Sequence, residues 1–444
     1  MTFIAAIVGR PNVGKSTLFN RLVGRRAAIV DDQPGVTRDR HYADAHLQGR
    51  DLTLVDTGGF DPDSDDPMRQ GIARHVLAAI EEADVVLCLL DGSTSPTSAD
   101  REAVALLRRG GKPVVFAANK VDNEARALDA AELYALGLTE LIPVSALHGR
   151  GLGRLEQALV SRLPPPGGEA PAEDPADTTA RVALIGRPNA GKSSLFNHLV
   201  GAERSLVDHR PGTTRDPVDS RVERNGHNYL LVDTAGIRRR SRVEHGVEAA
   251  SVMRALRALD RAEVAVLMCD AVEGVKEQDA RLLGLCADRR RAVVVALNKM
   301  DLIPAAERRA VREQAATALH FAGWTPIIGV SAVSGAGVTQ LLRAVRDAAA
   351  EFRRRVPTAE LNRFFAEVLE RQPPPTRGGR APRIYYVTQA EAAPPVFVAV
   401  ASSPAHVPDS YRRFVQNQIR RAFGFRSVPV TVRFRQRRGR DATS

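Results

Sequence analysis

The chain has 444 residues, 44% of them apolar and 26% charged, ordinary globular values that fill about three domains of ~150 residues. Its three cysteines lack paired spacing, its ten histidines form no metal-spaced cluster, and no apolar run nears the roughly 20 residues of a membrane span, which excludes a disulfide framework, a zinc site and a transmembrane protein. The net charge of +11 is uneven: Glu351–Ser444 holds eighteen arginines, no lysine and seven acids, so the first 350 residues sum to zero and the excess marks a polyanion-facing surface in the last segment.

MTFIAAIVGR is apolar but short and runs straight into a glycine-rich loop. It reads as a first strand, not a signal peptide, and the chain is expected in the cytoplasm. Next, KSTLFNRLVG is a helix ending at Gly24, and HYADAHLQGRDLTLVDTGG is a hairpin turning at Gln48–Gly49. ADVVLCLLD and KPVVFAANK are continuous apolar runs, as in strands buried on both faces of a mostly parallel sheet, with a helix around Ala99–Arg109 between them. LIPVSAL is a last strand and GLGRLEQALVSRL a last helix. Pro164–Thr179, rich in proline, acids and small residues, is a linker. RVALIG, KSSLFNHLVG, SRVERNGHNYLLVDTAG with its Asn225–Gly226 turn, EVAVLMCD, AVVVALNK and PIIGVSA then repeat the order, 177 positions on through the hairpin. Each repeat is a doubly wound α/β domain with its ligand at the carboxyl ends of the strands. From near Arg353, helices TAELNRFFAEVLER and PDSYRRFVQNQIRRAFGF and strands PRIYYVTQ, PPVFVAVAS and VPVTVRFRQRR form a small α+β unit with a basic tail. The expected boundaries are 1–163 and 180–352 for the repeats, 164–179 for the linker and 353–444 for the last unit.

Both glycine-rich loops have the form G-x-x-x-x-G-K-S. They are Gly9-Arg10-Pro11-Asn12-Val13-Gly14-Lys15-Ser16, followed by Thr17, and Gly186-Arg187-Pro188-Asn189-Ala190-Gly191-Lys192-Ser193, followed by Ser194. The backbone N–H groups of such a P-loop, at a helix N-terminus, cradle a di- or triphosphate. The lysine reaches the β/γ phosphates and the serine hydroxyl ligates Mg²⁺. PGVTRD and PGTTRD place Thr37 and Thr214 at matching positions. A threonine there can complete the magnesium shell only while a γ-phosphate is present, so hydrolysis releases the loop. Asp56-Thr57-Gly58-Gly59 and Asp233-Thr234-Ala235-Gly236 end the third strands. Their aspartates are expected to hold magnesium through water, and Gly59 and Gly236 to offer an N–H to the γ-phosphate.

Asn119-Lys120-Val121-Asp122 and Asn298-Lys299-Met300-Asp301 decide the base. Asp122 or Asp301 can accept hydrogen bonds from the guanine N1–H and 2-amino group, donors that adenine lacks. Ser145–Ala146 and Ser331–Ala332 match a second base-contacting loop, so the ligand reads as GTP or GDP. Phe60 and Ile237, after the glycines, cannot orient an attacking water as a glutamine could. Asn12 and Asn189 are candidates to hold a monovalent cation, K⁺, which would do the electrostatic work of an arginine finger. The alternative is that each asparagine only shapes its loop.

These paired motifs resemble the Der (EngA) family of bacterial ribosome-assembly GTPases over the whole chain, together with IRRRSRVEHGVEAASVMRALRAL after the second DTAG and AFGF and VTVRFR near the end. The resemblance implies two Ras-like GTPase domains and a KH-like domain, slow GTP hydrolysis stimulated by potassium at Asn12 and Asn189, and association with the large (50S) ribosomal subunit and its rRNA. Phe60 and Ile237 fit that family. A KH module clamps nucleic acid with a G-x-x-G loop between helices. Here RGGR, Arg377–Arg380, lies instead between a helix and a strand. The last unit therefore reads as a docking domain for the GTPase repeats, with rRNA contacts made by its arginines electrostatically. Acidic Asp61–Asp66 and basic Arg238–Arg242 give the two mobile loops opposite charge, so one is expected to see the last unit and the other RNA. Two rivals stand beside this reading: a GTPase of tRNA modification, with tRNA as partner, and a sensor whose second site holds GTP without turning it over. No membrane partner is expected, and the chain is expected to be monomeric off the ribosome.

Overall fold

The computed structural model describes residues 3–24, 42–57, 76–123, 126, 129–164, 179–201, 219–234, 248–375 and 382–436. The expectations for Thr37, Gly58–Phe60, Thr214, Ala235–Ile237, the charged loops Asp61–Asp66 and Arg238–Arg242, RGGR and the basic tail lie outside them. By Cα proximity the chain divides into two compact units. One comprises the first repeat with most of the helix Glu248–Arg261, the other the second repeat with the C-terminal segment.

In the first unit, β1 (Phe3–Val8), β2 (Tyr42–Leu47), β3 (Arg50–Asp56), β4 (Val85–Asp91), β5 (Val114–Asn119) and β6 (Ile142–Pro143) form one sheet in the order β2-β3-β1-β4-β5-β6. β2 pairs antiparallel with β3 and the other pairings are parallel, so the mostly parallel α/β arrangement read from the apolar runs is what forms. All seven residues of β4 are buried, as a strand covered on both faces must be. α1 (Lys15–Val23), α2 (Ser98–Arg109) and α3 (Leu152–Ser161) flank the sheet. Thr97 caps α2 by accepting the Asp100 amide while Asp100 accepts the Thr97 amide. The hairpin turns at Gln48 (φ 46°) and Gly49 (φ 82°), left-handed at both central positions as a tight β-turn between twisted strands requires. LIPVSAL contributes only two residues of strand, because Ser145–Ala146 already belong to the site loop.

The second unit repeats the plan. β7 (Ala180–Gly186), α4 (Lys192–Val200), β8 (Ser220–Arg224), β9 (His227–Leu231), α5 (Glu248–Arg261), β10 (Val264–Asp270), α6 (Glu277–Asp288), β11 (Ala292–Asn298), α7 (Arg308–Ala318), β12 (Ile327–Gly329) and α8 (Val338–Phe352) follow in order, with α5 through Asp260 grouped in the first unit. The sheet runs β12-β11-β10-β7-β9-β8. β10 and β11 are buried along their whole length.

The C-terminal segment adds α9 (Thr358–Arg371), β13 (Ile384–Glu391), β14 (Val396–Ala401), α10 (Asp409–Phe423) and β15 (Thr431–Gln436). Its sheet has the order β13-β14-β15, with β13–β14 antiparallel and β14–β15 parallel. This segment shares a core with the second repeat: Leu341, Val345 and Phe352 of α8 belong to the same cluster as Phe365, Phe397, Val415 and Phe425. Polar contacts fasten the joint. The Glu351 carboxylate accepts the Arg426 and Ser427 amides, each at 2.7 Å. The Val293 amide of β11 donates to the Ser427 carbonyl at 2.7 Å. AFGF is thus a docking turn, with Gly424 left-handed at φ 70° to close α10. Arg420 stacks on Trp324 with its guanidinium 5.2 Å from the ring centroid.

Candidate nucleotide sites

Both P-loops sit at the carboxyl end of the first strand of their sheet and lead into a helix, α1 or α4. The backbone there needs glycine. Gly14 and Gly191 are left-handed, with φ of 93° and 97°, and a Cβ on either would run into the amide of Asn119 or Asn298. Asn12 and Asn189 are also left-handed, at φ 65° and 62°, a conformation asparagine tolerates better than most residues. Lys15 folds back over its loop, donating from Nζ to the Gly9 and Arg10 carbonyls at 2.9 Å each. Burial lowers the pKa of that ammonium, against the opposing pull of Asp56. Lys192 makes the same two bonds, to Gly186 and Arg187. Each loop thus presents a helix N-terminus and a poised cation to one point, the arrangement that suits a phosphate.

The motifs that follow are drawn to that point by single side chains. Asn119 donates from Nδ2 to the Val13 carbonyl at 2.8 Å and accepts the Ala146 amide on Oδ1 at 2.9 Å. Asn298 does the same with Ala190 and Ala332, at 2.9 Å in both cases. One buried amide therefore holds the P-loop, the NKxD turn and the Ser-Ala loop together. Lys120 and Lys299 are left-handed, at φ 67° and 66°, and turn back to pair with Asp91 at 2.7 Å and Asp270 at 2.6 Å. Burial alone would raise the pKa of both aspartates. The bonds they accept, led by those from the lysines, hold them below the usual carboxylate range. Asp122 accepts from Ser145 Oγ at 2.7 Å and from Arg126 at 3.0 Å, which sets the carboxylate expected to read the base beside the Ser-Ala loop.

The two sites differ where magnesium is expected. Ser16 Oγ donates to Asp56 Oδ2 at 2.6 Å, so those two expected ligands already touch. In the second site Ser193 Oγ is buried with no hydrogen-bond partner, and Asp233 has a left-handed backbone at φ 54°. A buried hydroxyl without a partner is costly in a folded protein and fits an oxygen waiting for a ligand. Ser16 and Asp56, and Ser193 and Asp233, which lies two residues past the end of β9, are hard oxygen donors of the kind Mg²⁺ takes.

Acids outside the motifs hold the two P-loop arginines and escape motif reading. Arg187 forks onto Asp279, with Nε 2.9 Å from Oδ2, and pairs with Glu273 at 3.0 Å. Its counterpart Arg10 lies farther from its acids, 3.6 Å from Asp91 and 3.7 Å from Asp100. The aspartates at the strand ends, VVLCLLD and VAVLMCD, were visible as a matched pair, and so were Asp100 and Asp279 three residues into their helices. No single chemistry marks such positions in a sequence, which is why they pass unnoticed. Cys88, Cys269 and Cys286 are buried, and burial pushes their thiols well above the ordinary range, as for core residues.

Known families match this architecture segment by segment. The model for a "50S ribosome-binding GTPase" matches residues 4–120 and 181–299, and that for the "KH-domain-like of EngA bacterial GTPase enzymes, C-terminal" matches residues 355–435. GTPase Der of Myxococcus xanthus is 45% identical over 98% of this chain and 96% of its own length. The chain belongs to the Der family of GTPases. GTPase Der of Salinispora arenicola is 47% identical, over 98% of this chain and 92% of its own. Among solved structures the chain is similar to Era in complex with MgGDPNP and 16S ribosomal RNA nucleotides, at 21% identity and a TM-score of 0.31 over 59% of this chain and 94% of Era. As in the rest of the Der family, two GTPase domains precede a KH-like domain, and the chain is a GTPase of the ribosome-biogenesis class. Among the described residues no helix is long and apolar enough to cross a membrane.

Proposed function

We propose that this chain is a GTP-driven switch that binds a precursor of the large ribosomal subunit when loaded and leaves or rearranges after hydrolysis. The observation that supports the reading is the paired Asn119 and Asn298 ties, which bring the P-loop, the NKxD turn and the Ser-Ala loop together twice in one chain. Residues 1–163 and 180–352 act as the two GTPase domains, 164–179 as a linker and 353–444 as the KH-like domain.

The P-loop amides and Lys15 or Lys192 bind and orient the phosphates. Asp122 and Asp301, with Ser145–Ala146 and Ser331–Ala332, read the base. Thr37, Gly59, Thr214 and Gly236 sense the γ-phosphate, and Thr37 and Thr214 join Ser16, Asp56, Ser193 and Asp233 as holders of Mg²⁺. Magnesium, when bound, neutralises charge on the β- and γ-phosphate oxygens. Asn12 and Asn189 hold K⁺ and keep their loops in the left-handed turn. The protein works in the cytoplasm as a monomer off the ribosome, with rRNA as its nucleic-acid partner.

Sedimentation of the full chain with salt-washed subunits tests this. Recovery with the large subunit under a non-hydrolysable GTP analogue, and loss under GDP, is the expected result. Recovery with neither subunit in either state overturns the switch reading. Single-turnover hydrolysis in Lys15→Ala and Lys192→Ala variants, in K⁺ against Na⁺, separates two working sites from a silent second one. Equal rates in both salts would remove the potassium role.

A further inference from the structure

The KH-like domain has a sheet with one face on its helices and another that carries aromatic and cationic side chains. Val387, Phe397, Ala399, Val432 and Phe434 point inward and belong to the core cluster. The alternate residues of the same strands face away. Pairing sets them in two rows: Tyr386, Val400 and Arg435 lie side by side, and Thr388, Val398 and Arg433 beside them. An irregularity between Ile384 and Tyr386 inserts Tyr385 into the edge of the sheet. Tyr385 and Tyr386 are 41% and 49% exposed, and Val400, at 8%, floors the space between tyrosine and arginine. Arg383 stacks over Tyr385, its guanidinium 5.7 Å from the ring centroid.

Tyrosine is common in strands, and a solvated sheet edge can carry one without further meaning. Here two adjacent exposed rings share the sheet with Arg433 and Arg435 across the middle strand, Arg383 stacks on Tyr385, and neither row contains an acid. The acid of β13, Glu391, is at the other end of the strand, beside Val396. Exposed rings offer stacking area to any base, and flanking guanidinium groups meet phosphates. The segment from Glu351 onward also holds the whole positive excess of the chain. A G-x-x-G clamp is missing between its helices, so the usual KH groove lacks its backbone grip.

We propose that this open sheet face is a stacking surface for single-stranded RNA, with Tyr386 and Tyr385 under successive bases and Arg433 and Arg435 on the phosphates. The proposal rests on the reading that the chain works on ribosomal RNA and names the surface that does so. Binding there is tolerant of sequence, because every base has a π-face.

The test is fluorescence anisotropy of the full chain with a labelled, unstructured RNA 12-mer, alongside the subunit sedimentation above. Tyr386→Ala is expected to weaken RNA binding about tenfold and Tyr386→Phe to retain it, since stacking needs the ring and not the hydroxyl. The double variant Arg433→Ala/Arg435→Ala should flatten the dependence of log K on log salt by about 1.4, the share of two phosphates on a single strand. Ultraviolet crosslinking of the parent protein should place RNA on β13, and circular dichroism of each variant confirms that it folds. Parental affinity in Tyr386→Ala, a crosslink elsewhere, or equal competition by polyglutamate overturns the sheet face, the last in favour of an acidic protein partner. If the parent sediments with the large subunit while these results hold, the ribosomal reading survives the loss. If the parent binds the 12-mer as expected but sediments with neither subunit, the ribosomal reading falls and the RNA face stands.

Discussion

Replacing Asn119 by alanine removes one side chain and unfastens three loops. The Val13 carbonyl loses its donor at 2.8 Å and the Ala146 amide its acceptor at 2.9 Å, and Asn119 itself is only 3% exposed. Each orphaned buried group costs roughly 1–3 kcal/mol, so the pair amounts to about 2–6 kcal/mol in local stability. Part of that is recovered if the loops separate and take up water, and then nucleotide binding must pay to bring them back. Affinity for GDP at the first site should therefore fall at least tenfold. Titration with a fluorescent GDP measures this in a Lys192→Ala background, where the second site is disabled. Hydrogen exchange at the Ala146 amide gives an independent reading and should accelerate by a factor of about ten or more. Asn119→Asp is a sharper probe, because it keeps an acceptor for Ala146 and turns a carboxylate oxygen on the Val13 carbonyl. It should protect Ala146 while still weakening GDP. Unchanged Ala146 exchange in the alanine variant would refute the tie.

Gly14→Ala should abolish binding at the first site alone and Gly191→Ala at the second alone, since the new methyl meets the Asn119 or Asn298 amide in a left-handed backbone; site-resolved nucleotide titration checks both. Arg187→Ala leaves the fully buried Asp279 carboxylate without its fork and should cost about 3 kcal/mol, whereas Arg10→Ala, with its longer contacts and greater exposure, should cost about 1 kcal/mol or less. Denaturant unfolding followed by exchange in each repeat separates the two, and equal losses would contradict the geometry. Burial pushes the Glu351 carboxyl above the usual range, despite the amides of Ser427 and Arg426 that favour its ionised form. A raised native pKa means that the folded state binds the extra proton, so this contribution is full below the unfolded value and is lost as pH rises through the native one. Glu351→Gln should accordingly flatten the pH dependence of stability above about pH 4.3, while Glu351→Ala, orphaning two amides, should destabilise at every pH. Urea midpoints from pH 4 to 8 decide it.

The repeated α/β plan was legible because buried parallel strands leave continuous apolar runs, and VVLCLLD and AVVVALN can be little else. The turns at Gln48–Gly49 and Asn225–Gly226 were legible because few residues accept a left-handed backbone. What stayed hidden is of two kinds. The acids that hold the P-loop arginines are one kind: Arg10–Asp91 and Arg187–Asp279 are tertiary pairs 81 and 92 residues apart, and a charged residue carries no mark of its distant partner. The last strands of the two sheets, β6 (Ile142–Pro143) and β12 (Ile327–Gly329), are shorter than LIPVSAL and PIIGVSA suggest, because the apolar residues after them are buried beneath the site loops instead of extending the ladder. That the last unit docks on a GTPase repeat was legible, but not that it is the second one, since Glu351, Ser427 and Val293 meet only in the fold.

The Asn119 tie also sets a clock on synthesis. Val13, Asn119 and Ala146 are far apart in the chain, so a nascent polypeptide that ends before Ala146 has the phosphate loop and the base-reading turn but no closed pocket. The second pocket waits in the same way for Ala332. At the ~5–20 residues per second of translation, the stretch from Ala146 to Ala332 takes roughly 10–40 s. For that interval the emerging chain holds one finished nucleotide pocket, and it gains the second only shortly before the helix that anchors its last domain.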